Sequence, residues 1–352
     1  MGPTSAVAAA SGAGTSGADA RGRAPGRGRR TLAVAASVAL LLLVVGASLA
    51  FGVRQIDLGV VWQSLVAPVD GDADHRVVLE LRVPRTLVGL LAGAALGLAG
   101  TLIQGVTRNP IADPGLLGVN SGASLAVVIA IAAFGVVDPL GYIWFAFAGA
   151  AAAATIVFAI GHGQPVRLAL VGAALTSLLT PLITVVLLRD AETFNQYRFW
   201  AVGSLTGRGL ETVQVLWPFL LVGGVLAVLL AHRMNLLALG DDVARGLGQR
   251  VGTTRALSGA AIVLLCGTAT ALVGPIALVG LVVPHAARRL VGSDYRWIIG
   301  ISLALGPALL LAADVIGRLV VSPGELEAGV VAAFIGAPVL IAVARGRRVA
   351  GV

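Results

Sequence analysis

The 352-residue sequence predicts an all-α polytopic membrane protein of about ten transmembrane helices. Three observations carry that expectation. Hydrophobic residues make up 57% of the chain. Charged residues make up only 12%, roughly half of the quarter share usual in a soluble domain. Apolar runs of around 20 residues, the length that crosses a bilayer, then recur through most of the sequence. Mean hydropathy is correspondingly high at +0.94.

Residues 1–30 are rich in Gly, Ala and Ser and end in RGRAPGRGRR. They hold too little apolar side chain to fold and read as a disordered, basic cytoplasmic tail. The Arg29-Arg30 pair before LAVAASVALLLLVVGASLA could head a twin-arginine signal peptide. The apolar run over 31–53 is long enough to span, however, and many more follow it, so a first transmembrane helix is the better reading. The external segment 54–83 holds IDLGVVWQSL, a short interfacial helix, followed by acidic DGDAD. Further spans are expected at 84–105, 115–136, 140–161, 167–188, 213–231, 256–273, 275–291, 297–317 and 328–344, with a second basic tail over 345–352. Residues 256–284 are almost continuously apolar and could form one steep helix. Arg255 at one end and Arg288 and Arg289 near the other both fall inside only if the chain turns at Gly274-Pro275, so the positive-inside rule favours two short helices. Pro275 suits the first turn of the second.

With ten spans and both termini inside, 17 arginines lie on cytoplasmic segments and eight outside, while 12 of the 17 carboxylates lie outside. The arginine bias supports this orientation. All 25 basic residues are Arg; the chain has no Lys. It therefore lacks the P-loop lysine that reaches the phosphates of ATP and any lysine for a Schiff base. If a nucleotide drives transport, another polypeptide must hydrolyse it. The single Cys266 permits no intramolecular disulfide. The four histidines, His75, His162, His232 and His285, lack ligand spacing, so no metal site is expected.

Two stretches carry more than composition. Gly89, Gly93 and Gly97 recur every four residues and form one row on a helix, which lets a neighbouring backbone approach closely. RNPIADPGLLG then sets two prolines and two glycines between spans. Irregular backbone near a membrane survives only where protein or water satisfies its polar groups, so this is either a plain cytoplasmic turn or a constriction at the inner mouth of a pathway.

The motifs RVPRTL, GAALGLAG, QGVTRNPIADPGLLGVNSGA, FWAVGSL, LGDDVARGLG, GPIALVGLVVPHAARRLVGSDYR, AADVIGR and GELEAGVVAAFIGAP run in order over about 31–344. Together they closely resemble the FecCD (cobalamin- and siderophore-type) permease family of ABC importers. The resemblance implies the type II importer permease fold in the cytoplasmic membrane. It also implies a second permease subunit as partner (a copy or a homologue), two ATPase subunits inside, where ATP and Mg would bind, and an external substrate-binding protein. It implies no cofactor in this chain, no enzymatic activity of its own and no nucleic-acid partner. The cargo expected is a ferric siderophore, with haem or cobalamin as alternatives. An ion-coupled secondary transporter would be expected to carry intramembrane Asp, Glu or His, and the mid-span regions are almost uncharged. An embedded enzyme would need a cluster of catalytic groups that is not evident.

The inner loop 233–255 reads as a short helix, with Asp241 and Asp242 favouring its start and Gly246 or Gly248 its end. It is either a solvated loop helix or, by the resemblance, the coupling helix seated on the ATPase. Leu239, Gly240, Asp241, Ala244, Gly248 and Arg250 are then the contact candidates. On the outer side, Arg82, Arg85 and Arg318 could snorkel at helix ends, with Arg318 pairing Asp314 at i, i+4. The resemblance instead implies that they receive acidic residues of the binding protein, where charge complementarity guides docking. It also implies a cytoplasmic gate at Asn109 and Ile111, with Ile where the family has Leu, and a second gate position near Pro165 and Val166. Pro and Val depart there from the small polar residues of the family, and Glu327 departs from its proline. Thr176, Ser177, Thr180 and Thr184 make a hydroxyl-bearing face on the fifth span, either for helix–helix hydrogen bonds or as a weakly binding pathway wall. His285, beside Arg288 and Arg289, reads as structural or near the ATPase contact.

Overall fold

A computed structural model describes residues 26–161, 164–321 and 323–346. Of the expected tails, residues 1–25 and 347–352 lie outside the described residues. The described residues are helical, with no strand among them. In chain order the helices are α1 (Arg27–Ala50), α2 (Leu58–Val66), α3 (Ala73–Arg76), α4 (Val83–Thr107), α5 (Val119–Phe134), α6 (Pro139–Gly161) and α7 (Pro165–Arg189). They continue as α8 (Ala191–Ala201), α9 (Leu210–Ala238), α10 (Asp241–Gly246), α11 (Val251–Val273), α12 (Val279–Val291), α13 (Tyr295–Val320) and α14 (Ala328–Gly346). Among the described residues seven helices are long and apolar enough to cross a membrane; α5 and α14 are shorter apolar helices and α12 has only 13 residues.

Several boundaries differ from expectation. Helix α1 starts at Arg27, so the last arginines before the first span are helical rather than tail. Arg30 lies over the Trp297 ring at 5.5 Å and Arg29 donates to the Arg289 carbonyl, which anchors this end of α1. The inner loop 233–255 is also mostly helix: α9 runs to Ala238 and α11 begins at Val251. The outer segment holds α2 as expected, N-capped by Asp57. Asp72 then caps α3, which continues through a π-helical turn at Val77–Arg82 into α4. Helix α8, capped by Asp190, was not anticipated. The break between α11 and α12 falls at Gly274 (φ 80°), as the turn reading expects, but α12 begins only at Val279, so Pro275 lies in the irregular segment between the helices and not in the first turn of the second.

Helix α4 forms the centre, packed by α13, α11, α12 and α9. Its glycine row explains how. A Cβ at Gly93 would lie 2.5 Å from the Pro307 Cα, and one at Gly97 2.9 Å from the Ser302 carbonyl oxygen. The α4 and α13 backbones therefore meet directly. Thr101 and Ser302 add an interhelical hydroxyl pair at 3.1 Å in the same seam. Helices α7 and α9, by contrast, keep much of their apolar surface exposed. The bundle so has two functional ends: one gathers the C-termini of α4 and α9 with α10 and the start of α11, the other gathers the end of α1, the start of α4 and the end of α13.

Candidate functional site

At the first end, α4 stops on Arg108, a non-glycine residue in the left-handed region (φ 50°). Its Nε donates to the Leu237 carbonyl at 3.0 Å, and its guanidinium pairs with Asp241. Asp241 also receives Arg255 at 3.1 Å and lies 3.9 Å from Arg245. The Asp241 carboxylate thus ties the end of α4, helix α10 and the start of α11, and Arg108 adds the end of α9. Asp241 makes no side-chain cap bond; Gly240 (φ 114°) occupies the N-cap position, and Asp241 and Asp242 sit in the first turn. There their charge favours the helix N-terminus through the dipole. Helix α10 ends at Gly246, with Gly248 (φ 82°) turning the chain away.

One contact candidate is corrected. Ala244 is fully buried against the bundle, so it cannot touch a partner. The exposed row of this segment is Leu239 (60% exposed), Val243 (51%) and Leu247 (59%), at four-residue spacing. Val243 and Leu247 are not among the sequence candidates, although their i, i+4, i+8 spacing with Leu239 in LGDDVARGL marks one helix face. Arg250, the residue before α11, is exposed.

The irregular stretch 108–118 is partly buried, with Ala112, Pro114, Leu117 and Gly118 turned inward and Arg108 and Ile111 exposed. The Asn109 Oδ1 accepts the Ile111 N–H at 3.1 Å, and Asp113 accepts the N–H of Gly115 at 2.8 Å and lies close to the backbone of Leu278. The buried Gln104 amide points at the carbonyls of Ala112, Gly280 and Leu281 at 3.2–3.4 Å. Leu278 itself is in the left-handed region (φ 70°), a strained place for a non-glycine residue. The proline-glycine loop before α5 and the break before α12 therefore satisfy one another, as backbone near a membrane must. A cavity of about 260 Å³ opens beside them, lined by Thr107, Asn109, Asp113, Val166 and Leu170 among others. Asn109 and Val166, distant in sequence, face the same space. Ile111 does not line it and is 36% exposed. Pro165 opens α7. Along α7, Thr176 is half-buried and Thr180 exposed, and the hydroxyls of Thr180 and Thr184 donate one turn back to the carbonyls of Thr176 and Thr180.

At the other end, Arg82 and Arg318 are only 5% and 3% exposed. Arg82 donates to the carbonyls of Leu49 and Arg54, and Arg318 to those of Ser48 and Phe51. They fasten the last turn of α1 to α4 and α13, and neither reaches outward without leaving those bonds. The i, i+4 pair Arg318–Asp314 is present at 2.9 Å. Arg85 grips the buried Asp314 at 2.7 Å and reaches the partly exposed Glu325 at 2.9 Å. Beside this cluster lies a cavity of about 380 Å³ lined by Tyr142, Thr206, Arg208, Glu325 and Glu327. Arg208 donates to the Tyr142 hydroxyl at 2.6 Å. These contributors come from separate stretches of chain, and no local spacing announced them. Among the described residues no group of three His, Cys, Asp or Glu side chains is placed to hold a metal.

Comparison with known proteins matches residues 40–346 to the FecCD transport family. The chain is 49% identical over 311 residues to the ferric enterobactin transport system permease protein FepD of Escherichia coli (strain K12), covering 87% of this chain and 92% of that one. It is 37% identical to the probable siderophore transport system permease protein YfiZ of Bacillus subtilis (strain 168), covering 87% and 93%. It is 35% identical to the hemin transport system permease protein HmuU of Yersinia pestis, covering 85% and 91%. Among solved structures, an inward-facing conformation of a metal-chelate type ABC transporter superposes with a TM-score of 0.78 at 27% identity, over 88% of this chain and 98% of that one.

Proposed function

The chain belongs to the FecCD transport family, and from that premise we propose that it is the membrane-spanning subunit of an ATP-driven importer of ferric siderophores. The observation that carries the cargo class is the 49% identity, nearly end to end, with a permease named for ferric enterobactin. Haem is the second reading, favoured by the 35% likeness to a hemin permease. The protein spans the cytoplasmic membrane ten times, with α1, α4–α7, α9 and α11–α14 as the spans and both termini inside. The common clustering of the α1 start, the α12 end and the α13 start, through Arg29, Arg289, Arg30 and Trp297, supports that orientation.

The mechanism is alternating access by a pair of permease subunits above two ATPase subunits, which bind ATP and Mg. The exposed row Leu239, Val243 and Leu247, flanked by Arg250, seats on the ATPase. Asp241 carries its displacement through Arg108 into Asn109, at the cavity shared with Val166, where the inner gate opens. Thr176 and Thr180 line the conduit with weak, non-retaining polar contacts. At the outer face an acidic side chain of the binding protein competes with Glu325 for Arg85, while Arg82 and Arg318 hold the docking surface in shape. Proteoliposomes holding the permease with its ATPase and binding protein should take up radiolabelled ferric siderophore only with ATP. Uptake that persists without ATP hydrolysis refutes the proposal, and preferential uptake of haem selects the second reading.

A further inference from the structure

We propose that the groove between α6 and α11 is a binding site for one anionic phospholipid of the inner leaflet. The groove encloses about 890 Å³ and is walled by Ala151, Thr155 and Phe158 of α6 and by Gly259, Ala260 and Val263 of α11. Phe147 closes its far end, itself packed on Phe219 with ring centroids 4.9 Å apart. Gly259 lets the two helices close behind the groove, since a Cβ there would lie 2.9 Å from the Phe158 ring, and the small Ala260 leaves the wall itself open. The near end is different in kind. Arg245 and Arg255 line it, at the base of α11 beside the coupling segment.

Length, polarity and charge select the occupant. From Gly252 to Leu264 the α11 wall rises ~18 Å at ~1.5 Å per residue, close to half of a hydrocarbon core about 30 Å thick. An apolar slot one leaflet deep with cations only at its water-facing end matches an acyl chain below an anionic headgroup. The charge count agrees. Arg108, Arg245 and Arg255 are shared between just two carboxylates, Asp241 and Asp242, so the ion-pair cluster carries one net positive charge. Among the described residues the buried Nε of Arg255 has no hydrogen-bond partner, and Arg245, 59% exposed, can swing to a phosphate from its weak surface pairs. Because Arg255 also grips Asp241, the headgroup would stand directly on the element that holds α10 to α4. The site rests on the inner placement of α10 in the proposed topology, but lipid binding is measured without transport, so the two can fail separately.

The test is native mass spectrometry of the full chain after exchange into nanodiscs of phosphatidylcholine with added phosphatidylglycerol. One retained phosphatidylglycerol per chain is expected, preferred over phosphatidylcholine. Each arginine is expected to contribute about fivefold, the equivalent of ~1 kcal/mol per basic residue near the headgroups. Arg245→Gln should lower that preference about fivefold, and Ala260→Phe, which fills the exposed groove wall without touching the arginines, should abolish retention of either lipid. Equal retention of the two lipids by the native chain overturns the proposal. So does displacement of the lipid by inorganic phosphate, or disulfide capture of a second copy at Ala260→Cys.

Discussion

Asp241→Asn removes one charge and keeps the side-chain shape, so it isolates what the inner ion-pair cluster transmits. In the native chain this carboxylate meets Arg108 and Arg255 directly and Arg245 at 3.9 Å. The Asp241 side chain is 25% exposed, Arg108 35% and Arg255 13%. Exposed pairs are worth ~0–1 kcal/mol each, whereas breaking fully buried ones costs about 3–5 kcal/mol. With Arg108 and Arg245 discounted for solvent screening, the cluster falls between these limits at ~1–2 kcal/mol, most of it from the confined Arg255. That corresponds to a change of ~5–30-fold in the balance between the docked and undocked α10. The assay is the ratio of cargo moved to ATP hydrolysed in proteoliposomes, together with ATPase stimulation by the binding protein. Asp241→Asn should keep basal hydrolysis and lower the transport ratio by about that factor. Arg108→Gln should lower it less, because the Asp241–Arg255 pair survives, and the double variant should be no worse than Asp241→Asn alone, because the Arg108–Asp241 pair acts as one link. Additive losses, or an unchanged ratio in both single variants, would refute the transmission argument.

At the outer face, Glu325→Gln should strengthen binding-protein association a few-fold by freeing Arg85, and Arg85→Gln should weaken it; equal affinities at low salt, measured by surface plasmon resonance, count against the exchange. Val243→Asp on the exposed coupling row should release the ATPase in co-purification while leaving the thermal melt of the permease within ~0.5 kcal/mol, the usual range for surface changes. Gly93→Ala puts a Cβ 2.5 Å from the Pro307 Cα and must part α4 from α13, costing about 1–3 kcal/mol in a detergent melt. Gly46→Ala on α1, where nothing lies within 4 Å, should be neutral or slightly stabilising. Backbone N–H groups of His75 and Asp74 hold the Asp72 carboxyl below its usual range, and the Thr193 hydroxyl and N–H do the same for Asp190. Because both are depressed, the caps of α3 and α8 are intact at neutral pH and are lost as pH falls below ~3.9. Hydrogen exchange at Asp74, His75, Glu192 and Thr193 should rise there.

How much of this was legible depended on whether the determining interaction was local. The spans are apolar runs and the α4 seam is a four-residue glycine period, so hydropathy and spacing locate both. The turn at Gly274 came from arginine placement, an energetic rule that acts on each segment separately. The site is another matter. Arg108 and Asp241 are 133 positions apart and Arg85 and Glu325 are 240 apart, and nothing within a window around either residue names its partner. The same distance explains the misreading at Ala244. A short amphipathic stretch shows which residues share a face, Leu239, Val243 and Leu247 here, but an isolated polar loop offers no core to say which face turns inward. Only the Arg108–Asp241 pair, which fixes α10 against the end of α4, decides it. The outer arginines reverse the lesson: their position at helix ends was correctly read as charge to be explained, yet carbonyls of α1 and the buried Asp314 take up most of their donors. In a chain with so few charges, each ion must first be satisfied within the fold. Arg85 with Glu325 and Arg108 with Asp241 join a confined ion to a partly exposed partner, which is why the proposed mechanism places its exchange and its coupling there.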